Sequence, residues 1–133
     1  MEVGFQYLPP LSNSVPKSAQ DEEAAMRGWR CVIESAVGQV FDVELSDLRG
    51  GTRGRAKVAQ ARQVAMYLAH VVCGMSLTQV GRIFDRDRTT VAHACGLIED
   101  RRDDPCFDRA IELLENVTCA VTSPRFPVCV PFD

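Results

Sequence analysis

Apolar residues in the middle of the chain recur at helical rather than strand spacing. Trp29, Val32, Ile33, Ala36 and Val40 fall at i, i+3, i+4, i+7 and i+11, forming one stripe with Arg30 and Glu34 off it. Helical signal begins after Asp21. "ELSDLRGG" offers Ser46 as the cap of a short turn, closed by Gly50 and Gly51. From about Ala59 to Cys73 the pattern predicts a helix that is apolar on nearly all sides. Ala61, Ala65, Leu68 and Val72 share one face, while Val64, Met66, Tyr67 and Val71 cover the others. Such a helix belongs at the centre of a bundle, and Gly74 ends it.

"SLTQ", residues 76–79, fits a capping box in which Ser76 caps an amide and Gln79 reaches back. The helix it opens is about two turns long, with Leu77, Val80, Gly81 and Phe84 facing inward. Val91, Ala94, Cys95 and Ile98 give the inner stripe of a further helix, from near Asp87 to about Arg102. Asp104 as N-cap and Pro105 at the first helical position then start the last one, with Phe107, Ile111 and Leu114 inside. Residues 1–20 and 119–133 are Pro-containing tails flanking a single domain over 21–118. No segment reads convincingly as strand and no internal repeat is present. The expected fold is therefore all-α, with about five helices. At its centre a short capped helix, a tight turn and a longer helix have the sequence shape of a helix-turn-helix.

Charge changes this picture by its distribution. The chain of 133 residues carries a net charge of −3, which by itself argues against a generally basic nucleic-acid binder. Residues 53–90, however, hold seven Lys/Arg against two Asp/Glu, a net of +5, between flanks of −4 each. A basic middle points to a polyanionic partner; chance clustering on a solvated face is the plainer alternative. The N-terminus lacks the basic and apolar regions of a signal peptide. The longest apolar stretch, Val64 to Met75, is too short to span a bilayer. A cytoplasmic protein with no membrane partner is expected, its six cysteines reduced thiols rather than a disulfide framework.

"FDRDRTTVAHAC", residues 84–95, carries the candidate chemistry. With Val91 inward, Thr89, His93, Gly96 and Asp100 lie opposite the core, Thr90 lies on a flank, and Arg86, Asp87 and Arg88 occupy the helix start. In a helix-turn-helix that end meets base edges in the major groove. Arg can donate bidentately to guanine, Thr can offer a hydroxyl or methyl, and Asp can accept from cytosine. The residues alone leave a second reading open: Asp87 as a simple N-cap, Arg86 and Arg88 paired with Asp85 and Asp87, and His93 an ordinary surface histidine.

"ARQVAMYLA…SLTQVGRIFDRDRTTVAHACGLIED", Ala61 to Asp100, resembles the C-terminal DNA-binding domain (domain IV) of the bacterial replication initiator family DnaA. That domain's hallmark runs PRQ-x-AMYLA, SL-x-x-IG-x-x-F-GGRDHTTV-x-HAC and then KIE. The resemblance, over roughly residues 25–115, implies a Trp-repressor-like helix-turn-helix, a basic loop in the minor groove, and binding to short asymmetric A·T-rich boxes. It implies base reading by Arg86, Asp87, Arg88, Thr89, Thr90 and His93, and DNA contact from Arg62 and Gln63. The minor-groove arginine of the basic loop maps to Arg53, with Arg55 a close rival and Lys57 beside them on the backbone. The turn departs from the pattern: "GGRDH" is "DRDR" here, one residue shorter and without glycine, with Arg88 in place of histidine. A guanidinium there should shift base preference toward guanine. Proline before the Arg-Gln pair is replaced by Ala61.

"GGTRGR" lacks the Lys-Ser/Thr pair of a phosphate-binding loop, and the fifty-odd residues before the module are too few for an ATPase. His70, Cys73, His93 and Cys95 lack zinc-site spacing, so no metal is expected. No nucleophile and base stand out, so neither an enzyme nor a cofactor is expected. Two functions follow. The first is a sequence-specific binder of double-stranded DNA, regulating transcription or replication initiation at DnaA-box-like sites. The second is a protein-interaction adaptor on a scaffold that has lost specific DNA binding. A homodimer, and replication or transcription proteins, are further candidate partners.

Overall fold

The most buried helix in the computed structural model is the one that is apolar all round. The structure describes residues 19–50 and 56–122, and six helices lie within them. They are α1 (Ala19–Phe41), α2 (Leu45–Arg49), α3 (Ala56–Val71), α4 (Leu77–Phe84), α5 (Arg88–Arg101) and α6 (Pro105–Thr122). No strand is present among the described residues. In α3, Ala61 and every residue from Val64 to Ala69 are buried, and α1, α4, α5 and α6 all pack on it. The core gathers Ile33 and Val37 of α1, Val80, Ile83 and Phe84 of α4, Val91 and Ile98 of α5, and Ile111 and Leu114 of α6 around α3.

Local chemistry sets most helix ends as expected. Ser76 Oγ accepts from Gln79 N–H at 3.1 Å and Gln79 Oε1 accepts from Ser76 N–H at 2.9 Å, completing the capping box of α4. Asp104 Oδ1 accepts from Cys106 N–H at 3.1 Å beside Pro105. Gly74, at φ +75, turns the chain out of α3. Met75 N–H then reaches back to the Ala69 carbonyl at 3.2 Å, satisfying one of the carbonyls left open at the end of α3. His70 Nδ1 lies 2.7 Å from the Met75 carbonyl. A carbonyl only accepts, so that nitrogen carries the proton, and His70 serves as a clip on the α3–α4 connection.

Some expectations shift. Glu44, not Ser46, stands at the N-cap of α2, and it makes no side-chain cap bond. The helix α3 starts at Ala56, one turn earlier than its apolar pattern. The buried arc of α1 keeps Ile33 of the expected stripe, with Trp29 and Ala36 packed at its edge, but turns toward Met26 and Val37, which leaves Val40 38% exposed. Val71 is also exposed, while Ile83 is buried and completes the inner face of α4. Glu34, expected off the apolar stripe, is buried.

Two polar hubs lock the bundle. Arg102, at the end of α5, donates to Asp108 Oδ1 at 2.6 Å, Glu115 Oε2 at 2.8 Å and the Tyr67 hydroxyl at 3.0 Å. It thereby ties α5, α6 and α3, and these partners, Glu115 first, raise its pKa. The second hub is Glu34, which lies next to the candidate site.

Candidate nucleic-acid interface

The turn between α4 and α5 is built without glycine. Asp85 closes α4 in the left-handed conformation (φ 61, ψ 48), its N–H bonded to the Gly81 carbonyl. The Arg86 N–H also bonds to Gly81 O, at 2.8 Å. Aspartate tolerates this region better than most residues, yet glycine enters it without a Cβ penalty. Asp85→Gly is expected to stabilise the domain by about 0.5–1 kcal/mol in urea denaturation; an unchanged or lower midpoint would show that the αL geometry costs nothing here.

Asp87 then takes the N-cap position of α5 with extended backbone, but its carboxylate makes no capping hydrogen bond. Neither Arg86 nor Arg88 forms an ion pair with Asp85 or Asp87; Arg86 Nη1 donates instead to the Asp85 carbonyl at 3.2 Å. Arg88, Thr89, Thr90 and His93 are exposed on the first turns of α5, and Arg86 is half-buried behind them. The charged turn therefore leaves Asp85, Asp87 and Arg88 exposed and does not consume its charges in local ion pairs.

Arg62 behaves differently. Its Nε donates to the Leu48 carbonyl at 3.1 Å and its Nη2 to the Asp47 carbonyl at 3.4 Å, capping the end of α2 from α3. Burial, and then the nearby Arg86 charge, lower its pKa. Arg62 and Arg86 line a polar cavity of about 160 Å³ together with Arg30 and Arg49. Arg30 and Arg49 share the single carboxylate of Glu34, whose Oε2 accepts from Arg30 Nε at 2.9 Å and Oε1 from Arg49 Nε at 2.7 Å, and Asp85 also lines the cavity. Arg62 and Arg86 form no ion pair there, and the repulsion that Arg86 exerts on Arg62 is one that an anion relieves.

Gln63 is half-buried on α3. Lys57 opens the same helix, its Nζ 3.8 Å from exposed Asp42 Oδ2, a surface pair of little strength. Arg53 and Arg55 lie outside the described residues. The structure thus brings Arg62 beside Arg86 and sets Arg88, Thr89, Thr90 and His93 on one helix start. Sequence reading missed the Arg30–Glu34–Arg49 network that supports them. Only the i, i+4 spacing of Arg30 and Glu34 hinted at it; Arg49 arrives from another helix.

Cys73 and Cys95 are partly buried thiols. Burial pushes Cys73 up to about 11 and also raises Cys95, the opposite of an activated thiolate. No three His, Cys, Asp or Glu side chains converge to hold a metal among the described residues. None of the described helices is long and apolar enough to cross a membrane.

The model of the bacterial DnaA protein helix-turn-helix matches residues 32–98, which contain α2 to α4 and nearly all of α5. The chain belongs to the DnaA helix-turn-helix family. It is 39% identical over 85 residues to the chromosomal replication initiator protein DnaA 2 of Chlamydia pneumoniae, covering 63% of this chain and 19% of that protein. Against DnaA of Mycobacteroides abscessus it is 38% identical over 120 residues, covering 87% of this chain and 22% of the relative. Among solved structures, a DNA replication initiation factor superposes with a TM-score of 0.68 at 29% identity, over 77% of this chain and 32% of that one. DnaA bound to AMPPCP and single-stranded DNA gives 0.66 at 28%, over 77% and 31%. The chain spans about a fifth of the length of the DnaA relatives it matches. What it shares with them is the DnaA helix-turn-helix module.

Proposed function

We propose that this DnaA-type module binds double-stranded DNA sequence-specifically, inserting the start of α5 into the major groove at DnaA-box-like sites. The observation that carries this reading is the unpaired, outward-facing set Arg88, Thr89, Thr90 and His93 at the start of α5. Arg88 and Asp87 supply a donor fork and an acceptor for base edges. Arg62 and Arg86 supply the positive mouth that a backbone phosphate fits, and the free amides at the start of α5 favour the same charge. Lys57 and Gln63 extend the backbone contact. Arg53 and Arg55, by the family resemblance, reach the minor groove. By occupying such boxes the module regulates transcription or replication initiation, competing for sites or recruiting other proteins.

Selection from random duplexes tests the reading: one enriched box is expected, and recovery of no box would favour the adaptor role instead. Log affinity for that box should fall linearly with log salt, with slope about −0.9 per phosphate contacted. Arg88→Ala is expected to relax base choice at one position, costing about 1–3 kcal/mol there. A uniform loss over all sequences would make Arg88 a phosphate contact.

A further inference from the structure

Asp85 holds a left-handed conformation that suits glycine, at φ 61 and ψ 48, yet no contact of the fold uses its carboxylate. The residue is exposed, and its side chain forms no hydrogen bond or ion pair with any described residue. Even Arg86, its neighbour, donates to the Asp85 backbone carbonyl at 3.2 Å and not to the carboxylate.

Asp85 also lines the cavity of about 160 Å³ that Arg30, Arg49, Arg62 and Arg86 share. Four guanidinium groups there meet two carboxylates, that of Glu34, held between Arg30 and Arg49, and that of Asp85. Glu34 is buried and bonded through both oxygens, so it keeps its partners whatever approaches. Asp85 is the exposed one of the two, and it is the negative charge that an incoming anion meets. A phosphate seated between Arg62 and Arg86 gains from their charges and is repelled by the residue next to Arg86.

We propose that Asp85 is an electrostatic brake on the phosphate contact at the Arg62–Arg86 mouth, setting how strongly this module holds duplex DNA and not which sequence it selects. The inference rests on the duplex binding proposed above. Phosphates are the same in every sequence, so a charge that acts on them weakens all duplexes by one factor. Sequence choice stays with the start of α5. The repulsion acts between solvent-facing groups, so it fades as salt shortens the Debye length from about 10 Å at 0.1 M to about 3 Å at 1 M.

Asp85→Asn isolates the charge. Asparagine has the same size and enters the left-handed region at least as readily as aspartate, so the turn keeps its geometry and the Tm should not change. Fluorescence anisotropy with the full chain, on the selected box and on a mixed-sequence duplex of equal length, should show both held about three- to tenfold more tightly at low salt. The factor should be the same for both duplexes and should shrink as salt rises. Exposed Asp103 lies about 20 Å from the turn along α5. Asp103→Asn makes the same change in net charge there and should tighten binding by less than about twofold. Equal gains in the two variants would make net charge the cause and overturn the proposal. So would an Asp85→Asn affinity equal to that of wild type, or a gain confined to one base position of the box. A wild-type chain that holds neither duplex at low salt removes the functional reading itself, a result seen before any substitution is made.

Discussion

Replacing Glu34 by alanine is expected to cost the fold about 2–4 kcal/mol, a large share of the stability of a domain this size. Glu34 is buried, with a side-chain exposure of 3%, and it holds two guanidinium groups from different helices at 2.9 Å and 2.7 Å. Arg30, 18% exposed, also donates to the Ile83 carbonyl and lies 4.9 Å from the centre of the Phe84 ring. Without the carboxylate, Arg30 is left as a largely buried cation with no counter-charge, the situation in which removing one partner hurts most. Arg49 is 41% exposed and can turn to water, so its share of the loss is smaller. The damage should extend beyond stability. Arg30 clamps the Ile83 carbonyl near the end of α4, two residues before Asp85 and the turn, so loosening it frees the segment that aims Arg86 and Arg88. Urea denaturation of Glu34→Ala and Glu34→Gln checks this. The glutamine, keeping the shape but only one acceptor, should fall between wild type and alanine. A loss below about 0.5 kcal/mol for alanine would place Glu34 among ordinary surface carboxylates.

The contrast between Glu34 and the capping box shows what this sequence discloses. Ser76 and Gln79 stabilise each other across three residues, so their spacing alone announces the cap. Asp104-Pro105 and Gly74 are legible for the same reason: the partner groups lie within the same turn. The all-round apolar character of α3 likewise fixes its central place. Glu34 is different because one partner, Arg49, is fifteen residues away and reaches it only after α1 and α2 have packed. A carboxylate between apolar neighbours on a helix wheel is indistinguishable from a solvated one until that happens. Val37 and Ile83 escaped for a related reason, since which arc of a helix is buried depends on the neighbour it meets. At the site, the residue types of the α5 start were legible as chemistry. Whether Arg86 and Arg88 would be spent on Asp85 and Asp87 was not, because both pairings suit the same letters. The left-handed Asp85 was hidden too, since a glycine is the usual sign of such a turn and none stands there.

Gly81 makes the second large prediction. It sits in α4 with ordinary helical backbone and is buried, so its value lies in what it lacks. A Cβ built on it would stand 2.5 Å from the Arg86 carbonyl oxygen and 3.5 Å from the Arg88 nitrogen. Those are backbone atoms and cannot swing aside as the end of a side chain could. The turn of the helix-turn-helix rests directly on the bare Cα of Gly81, whose carbonyl also accepts from the Asp85 and Arg86 amides. Gly81→Ala must therefore move residues 86–88 outward, and they precede or begin the helix that carries Thr89, Thr90 and His93. A methyl forced into such a contact costs about 1–3 kcal/mol of stability. The effect on DNA should be larger than that figure alone explains. Measured well below the variant's Tm, where the folded fraction is still near unity, affinity for the selected box should drop at least tenfold, about 1.4 kcal/mol. Gly28→Ala is the matched control, because a Cβ there meets nothing within 4 Å and only improves helix propensity. If Gly81→Ala lowers stability but leaves the affinity of the folded protein intact, the turn can shift without re-aiming α5. The rigid placement of Arg86 and Arg88 would then not be what reads the DNA.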